Sequence, residues 1–564
     1  MTKIVGVAIV PLVKKSRIFS VITFLRQSLI AVVALLFLPT FASVDASQKT
    51  KSKPTTNQVV STRAKSKKNK FSYSSIFEKS SEKFVCINEI DEIILRNLKA
   101  KGISPAKCAS EAVMLRRVYL DLTGTIPTAQ EAKDYLDDKS SDKYIRLVHR
   151  LLASDNFNIY MTMRLGDMLR IKSEFPINLW PNAAQAFTRY IYNSVAKNKS
   201  WRTMVEEMLT SSGSNFRVGQ VNFYRAMQAR NPENFASMTA LSFMGLRFDS
   251  MTKKQKDSLV NFFRNVQLKS TKEWKEEIVF DAPLKRDSFI SIMPDGSCVV
   301  VRNSASARRD FTRWLVAKNN PFFAKSFANR VWGWLFGRGI IMPVDNLNGE
   351  NSNPELIGYL AYYFAENNFD IRKLFEHIVL SRTYALSSIP VSDAKKSVSN
   401  FASYPVRQSE AEVIIDMVCK ITGRGEIYES TTPEPYTLMP KDTRAVSLYD
   451  SGITTSFLEL FGRSARDTGY FSERVNEPSP SQRLHFLNSS HIRKKLIGSK
   501  NLSSLIQSKT FFTDCYLTVL SRYPVKAEIE IYRNIKTSKN YSFWNKRQDL
   551  IWTLFNSEEF FNRH

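Results

Sequence analysis

The chain has 564 residues, too many for one simple core, and its 43% hydrophobic and 24% charged content supports burial along most of its length. A formal charge of +28 favours polyanionic partners, and five scattered cysteines exclude both a disulfide scaffold and a thiolate-rich metal site. Gly is scarce and breakers cluster between apolar runs, which points to a mainly α fold of two helical domains with a small β-hairpin element between them.

Lys14, Lys15, Arg17 and Arg26 precede an apolar run over 28–42, and Val44-Asp45-Ala46 follows as a cleavage site. Residues 1–46 therefore read as a secretory signal peptide. At 15 residues the run is shorter than the roughly 20 that span a bilayer, so cleavage is expected. Left uncleaved, residues 18–42 would tether the chain to a membrane. The expected location is exported, periplasmic or cell-surface. Chromosomal nucleic acid is thereby an unfavoured partner, which leaves a polyanionic glycan or a cell-envelope protein.

Residues 47–83 are rich in Lys, Ser and Thr and read as a basic disordered tether. Residues 1–80 hold 14 Lys and Arg against Asp45 and Glu78, a net of +12, so the remainder carries +16. A first helical domain is expected over 84–268. Its stripes include Ile90, Ile93, Ile94 and Leu98, and Thr128 with Glu131 forms a capping box. Further helices are expected over 142–153, 156–171, 182–197, 200–211, 231–245 and 252–266. Residues 269–303 form the β element, with strands at 277–281 and 289–301 and a turn at Pro294-Asp295-Gly296. The second helical domain spans 304–564. There Asn320-Pro321, Asn353-Pro354 and Asp370 start helices, a loop covers 427–441, and closing helices run over 482–497, 509–521, 526–536 and 541–561.

Long ordered strings punctuate both halves. They include LRRVYLDLTGTIPTAQEAKDYLDD at 115–138, RRDFTRWLVAKNNPFFAKSFANRVWGWLFGRGII at 308–341, FLELFGRSARDT at 457–468 and ERVNEPSPSQRLHFLNSS at 473–490. From about residue 84 onward the chain resembles planctomycete-type exported proteins with paired domains of unknown function, numbered 1549 and 1553, a family associated with cytochrome c modules and encoded near sulfatases. The resemblance implies export and a connection with sulfated-glycan metabolism through gene neighbours. Two departures matter. Many members carry C-x-x-C-H after the string that reads LSFMGLRF at 241–248, where this chain continues Asp249-Ser250-Met251-Thr252. The family's Cys-x-Cys-Glu-Arg string reads Tyr470-Phe471-Ser472-Glu473-Arg474. Without two thiols and an adjacent His, c-type haem cannot attach, so no cofactor is expected.

Candidate ligand-binding residues follow from charge and position. Phe323, Phe327, Val331 and Leu335 form a helical stripe, and Arg330 and Trp332 fall off it, so a cation and an aromatic face are available to a ligand or pack between helices. The loop from Asp345 to Asn353 is rich in oxygen atoms, but Leu347 and Gly349 break the calcium-loop spacing, and turn formation accounts for its composition. No metal is expected. Arg444, Asp450, Arg463, Arg466, Asp467, Glu473 and Arg474 form a charged cluster able to bind sulfate or carboxylate, or to pair internally. The local bridge open to the cysteines is Cys86 with Cys108. His485 and His491 lie near Ser489 and Ser490 without a nucleophile elbow, and no phosphate loop or dinucleotide fingerprint occurs. No catalytic residue is singled out. The function expected is binding of a polyanionic, sulfated glycan or envelope partner. The alternatives are a hydrolase acting on sulfated polysaccharide and an assembly subunit for a separate cytochrome c protein.

Overall fold

A computed structural model describes residues 74–79, 84–282, 288–303, 307–430, 439–538 and 541–564. The signal peptide and most of the tether lie outside the described residues. Residues Ser74–Phe77 of the expected tether form a short helix; Phe77 meets the His564 ring edge-on at 5.0 Å, and Glu78 bridges Ala109.

The described chain is mainly α. Helix α1 (Glu111–Thr123) starts at a Ser110 cap and ends at Gly124, whose φ of 57° is the left-handed conformation that a Cβ disfavours. The predicted capping box forms, with Thr128 Oγ1 accepting from Glu131 N and Glu131 answering the Thr128 N–H. Helices α2 (Asp155–Met168) and α3 (Pro181–Ala196) follow, and Asn231 caps a helix that widens into a π turn over Ala240–Met244.

Strands β1 (Gly213–Ser214), β2 (Val266–Ser270) and β3 (Glu277–Asp281) make an antiparallel sheet of order β1-β3-β2, with Leu268 opposite Val279. Strands β4 (Phe289–Ile292) and β5 (Cys298–Val301) pair as a separate hairpin across the predicted turn. Helix α4 (Phe323–Phe336) begins two residues later than the sequence suggests. Asn320 Oδ1 accepts from the N–H groups of Phe322 and Phe323 and satisfies the start. The expected helix over 482–497 is two, α6 (Pro480–Asn488) and α7 (Ser490–Leu496), because Ser489 leaves helical geometry to cap the second; they follow α5 (Ala411–Thr422).

The apolar core falls into two clusters. One runs from Ile90 to Tyr404 with Leu517, and takes in Val279, Val299 and Val301 of the strands. The other runs from Ala411 to Phe561 and recruits Leu120 and Ile126 with Tyr160 and Met163 from the first half of the chain. Arg116 and Arg117 on α1 reinforce that exchange. Arg116 donates to the carbonyls of Val519 and Phe560 at 3.0 Å, and Arg117 to those of His564 and Leu386, also at 3.0 Å. Among the described residues no helix is long and apolar enough to cross a membrane.

Candidate functional site

The charged cluster read from the sequence assembles, but inside the protein. Arg474 bridges two carboxylates, reaching Asp167 at 2.8 Å and Glu412 at 2.6 Å, while Arg466 takes the other Asp167 oxygen at 2.9 Å. Arg463 donates to Glu412 at 3.2 Å and to the Asp450 carbonyl at 3.1 Å. Burial alone would push the Asp167 and Glu412 carboxyls up; Arg474 with Arg466 and with Arg463 outweighs it and holds both below their usual range. Asp450 is buried as well, accepting from the Ser173 and Gly452 N–H groups at 2.9 Å and from the Ser173 hydroxyl. Glu473 accepts from the N–H groups of Asp467 at 2.6 Å and Gly469 at 3.2 Å, closing its own loop. Arg444 pairs with Asp416 at 3.4 Å and Asn156 at 2.6 Å. These side chains spend their charge on one another, tying α2 to segments beyond residue 410.

Of the two readings open to Arg330 and Trp332, the structure shows packing between helices. Of the fourteen residues of α4, Lys325 alone is not buried. Trp332 stacks on Phe336 at 4.3 Å and meets Phe401 edge-on. Arg330 is 4% exposed, and burial pulls its pKa down against the opposing charge of Asp345 and Asp167. The helix is apolar on nearly every side, so its period-four stripe does not mark a single buried face. Asp345 is committed too. It accepts from Arg247 Nη2 at 2.8 Å and from the Phe471 N–H at 3.2 Å. The Cys86–Cys108 bridge does not form: all five cysteines are free thiols, and Cys108 sits in a backbone bridge to Leu386.

Asp345 also joins the two departures noted in the sequence. Arg247 lies over the Tyr470 ring at 4.7 Å, so the strings around 248 and 470–472 are neighbours in space, held by an ion pair and a cation–π contact.

A different surface carries aromatic and cationic groups together. The β2–β3 turn presents Trp274, 72% exposed, and Lys275. Lys275 Nζ lies 5.0 Å from the Trp274 ring centroid and 5.6 Å from that of Trp180, the residue preceding α3. The loop before Trp180 also projects Phe175, 72% exposed. Trp180, Asn178 and Lys275 all take positive φ, of 69°, 57° and 63°. Non-glycine residues adopt that region at a cost that surrounding structure must support, and such positions gather at ligand contacts. The nearby carboxylates are engaged: Glu277 by Arg225 and Arg230, Glu276 by Ser214 and Thr271, Glu273 by Arg217. Lys269, Lys272 and Lys275 are exposed and, among the described residues, bear no ion pair. Sequence reading passed over this group because Trp180 and Trp274 are 94 residues apart; the signal was the Lys-Glu-Trp-Lys run at 272–275.

These features define a mainly α protein whose halves interlock through buried ion pairs and whose surface carries an aromatic–lysine platform. Residues 89–267 match PSCyt2, a protein of unknown function (DUF1549), and residues 307–535 match PSD1, a protein of unknown function (DUF1553). The chain belongs to the family that carries these two domains in tandem. No curated protein and no solved structure matches it.

Proposed function

We propose that the protein is an exported binder of anionic glycan chains, and that the Trp180–Lys275–Trp274 platform is its contact surface. The observation that carries this reading is an ammonium lying within 6 Å of two tryptophan faces, one of them open to solvent. Sugar rings present C–H faces that pack on an indole, and a sulfate or carboxylate on the same ring pairs with a lysine beside it. Lys269 and Lys272 extend the positive edge along the hairpin. The excess of basic residues throughout the chain adds a long-range attraction that salt screens, whereas stacking does not depend on salt.

The test is elution of the purified protein from sulfated, carboxylated and neutral glycan matrices over a salt gradient. Retention is expected on the charged matrices near physiological ionic strength, with Trp274→Ala eluting clearly earlier and keeping its melting temperature. Equal retention on the neutral matrix, or an unchanged Trp274→Ala profile, would overturn the reading.

A further inference from the structure

A hydrogen-bonded chain of titratable side chains lies apart from the platform, around α6 and α7. Glu426 Oε1 is 2.6 Å from His491 Nε2, and His491 Nδ1 is 3.2 Å from His485 Nε2. A carboxylate only accepts, so His491 carries its proton on Nε2 and turns the Nδ1 lone pair toward His485. His485 completes the chain by donating from Nε2. Among the described residues its own Nδ1 has no hydrogen-bond partner. The ring of Phe457 meets both imidazoles edge-on, at 5.6 Å and 5.7 Å, and limits their rotation.

This arrangement fits a cation. Adjacent ligands on a tetrahedral ion with bonds of about 2.0–2.1 Å are about 3.3 Å apart, close to the separation of the two imidazole nitrogens. Metal-bound histidines regularly donate their second N–H to a carboxylate, which fixes tautomer and ring orientation, and Glu426 already stands in that position. The His491 side chain is 30% exposed, which gives an ion access from solvent.

We propose that His485 Nε2 and His491 Nδ1 bind one borderline divalent cation of the zinc, nickel or copper kind, with Glu426 as the orienting carboxylate. On binding, the proton of His485 moves from Nε2 to Nδ1, which frees the Nε2 lone pair for the ion. Solvent or a ligand oxygen fills the remaining positions. That agrees with the described residues holding no group of three or more His, Cys, Asp and Glu side chains in ligand geometry. Cys419 is not a third ligand. Burial pushes its thiol up to about 12, and its sulfur faces Lys495 Nζ at 3.5 Å. Lys495 also touches Glu426 at 2.7 Å and opposes the cation, but its ammonium is shared with the carbonyls of Arg424 and Gly425 at 3.0 and 2.9 Å. With two protein ligands the site binds more weakly than a closed four-ligand site.

Calorimetric titration of the purified chain with zinc chloride, paralleled by the visible spectrum on adding cobalt, tests this independently of any glycan. One saturable equivalent is expected, lost in His485→Gln and in His491→Gln, and weakened about 10–100-fold in Glu426→Gln. His149, paired with Glu376 at 2.8 Å on an exposed surface, is the control, and His149→Gln should bind as the parent does. Each variant's melting temperature is compared first; if either histidine variant unfolds, the Glu426→Gln affinity decides. Absence of saturable binding overturns the proposal. So does binding that survives both histidine substitutions or is unchanged in Glu426→Gln.

Discussion

Arg563 Nη2 meets Glu410 Oε2 at 2.6 Å, with neither side chain exposed to solvent. The pair belongs to a five-member buried set. Arg563 also reaches Asp121 at 3.1 Å, Arg407 reaches Asp121 at 2.6 Å, and Arg164 contacts the second Glu410 oxygen. Three cations therefore face two carboxylates. Burial would push the Glu410 carboxyl up, but Arg164, Arg563 and Arg407 hold it well below the usual range. Removing one partner of such a pair costs about 3–5 kcal/mol, because the other charge stays buried. The balance of charges sets an order: Glu410→Gln, which leaves three cations with Asp121 alone, destabilises more than Arg563→Met. Denaturant midpoints of the two variants check it, and the reverse order would show that the surplus cation is neutralised elsewhere.

His564 gives a pH dependence. Burial pulls its imidazole down to about 4, with Arg116, Arg117 and Arg522 adding to the shift and Glu559 opposing it. A depressed folded-state pKa means that the unfolded chain binds the proton first as pH falls. The contribution is fully present above about pH 6.5 and is lost on acidification toward pH 4, on the order of 3 kcal/mol in all. His564→Gln is expected to flatten the stability profile between pH 6.5 and 4 while leaving the loss at lower pH that comes from protonating the depressed Glu410 and Glu412 carboxyls. Urea unfolding at a series of pH values measures this directly.

Much of the fold was legible because its signals are local. Caps at Thr128, Asn353 and Asp370 and the turn at Pro294-Asp295-Gly296 depend on a few neighbouring residues, and each stands where the sequence places it. Helix α5 was missed. It carries Glu412 and Asp416 on a largely apolar stretch and follows the buried Glu410, and acids in a buried helix make sense only with Arg463, Arg474 and Arg444, which arrive from elsewhere in the chain. Arg330 is left open between two readings for the opposite reason. A polar residue off an apolar stripe reads as solvent-facing unless the helix is enclosed on every side, and enclosure is a tertiary fact. The platform residues Trp180 and Trp274 likewise meet only through the β2–β3 turn.

Gly462 supplies a backbone prediction. It adopts φ of 77°, and a Cβ there would stand 1.9 Å from the Val475 carbonyl oxygen. The Val475 N–H donates to the Gly462 carbonyl at 3.0 Å, so the two strands of this loop cannot separate without losing that bond. Gly462→Ala combines left-handed strain with a backbone clash and should cost about 2 kcal/mol or more. By contrast, Gly358→Ala, on a helix with open space around the added methyl, should be neutral or stabilising by about 1 kcal/mol. Thermal melts of the two variants separate the cases.

Lys275 tests whether the platform trades stability for binding. Its φ of 63° places an L-residue where the Cβ crowds the following carbonyl, at a cost of about 1–2 kcal/mol. Glycine relieves that strain but loses about 0.5–1 kcal/mol more backbone entropy on folding. The difference leaves Lys275→Gly about 0.5–1 kcal/mol more stable than the parent. The same change removes the ammonium from between Trp180 and Trp274, so retention on a sulfated matrix should fall. A Lys275→Gln variant keeps the strained backbone and removes only the charge. It should lose retention to a similar degree without gaining stability. If Lys275→Gly gains stability and holds its retention, the left-handed lysine is a turn residue and the tryptophans bind nothing through it.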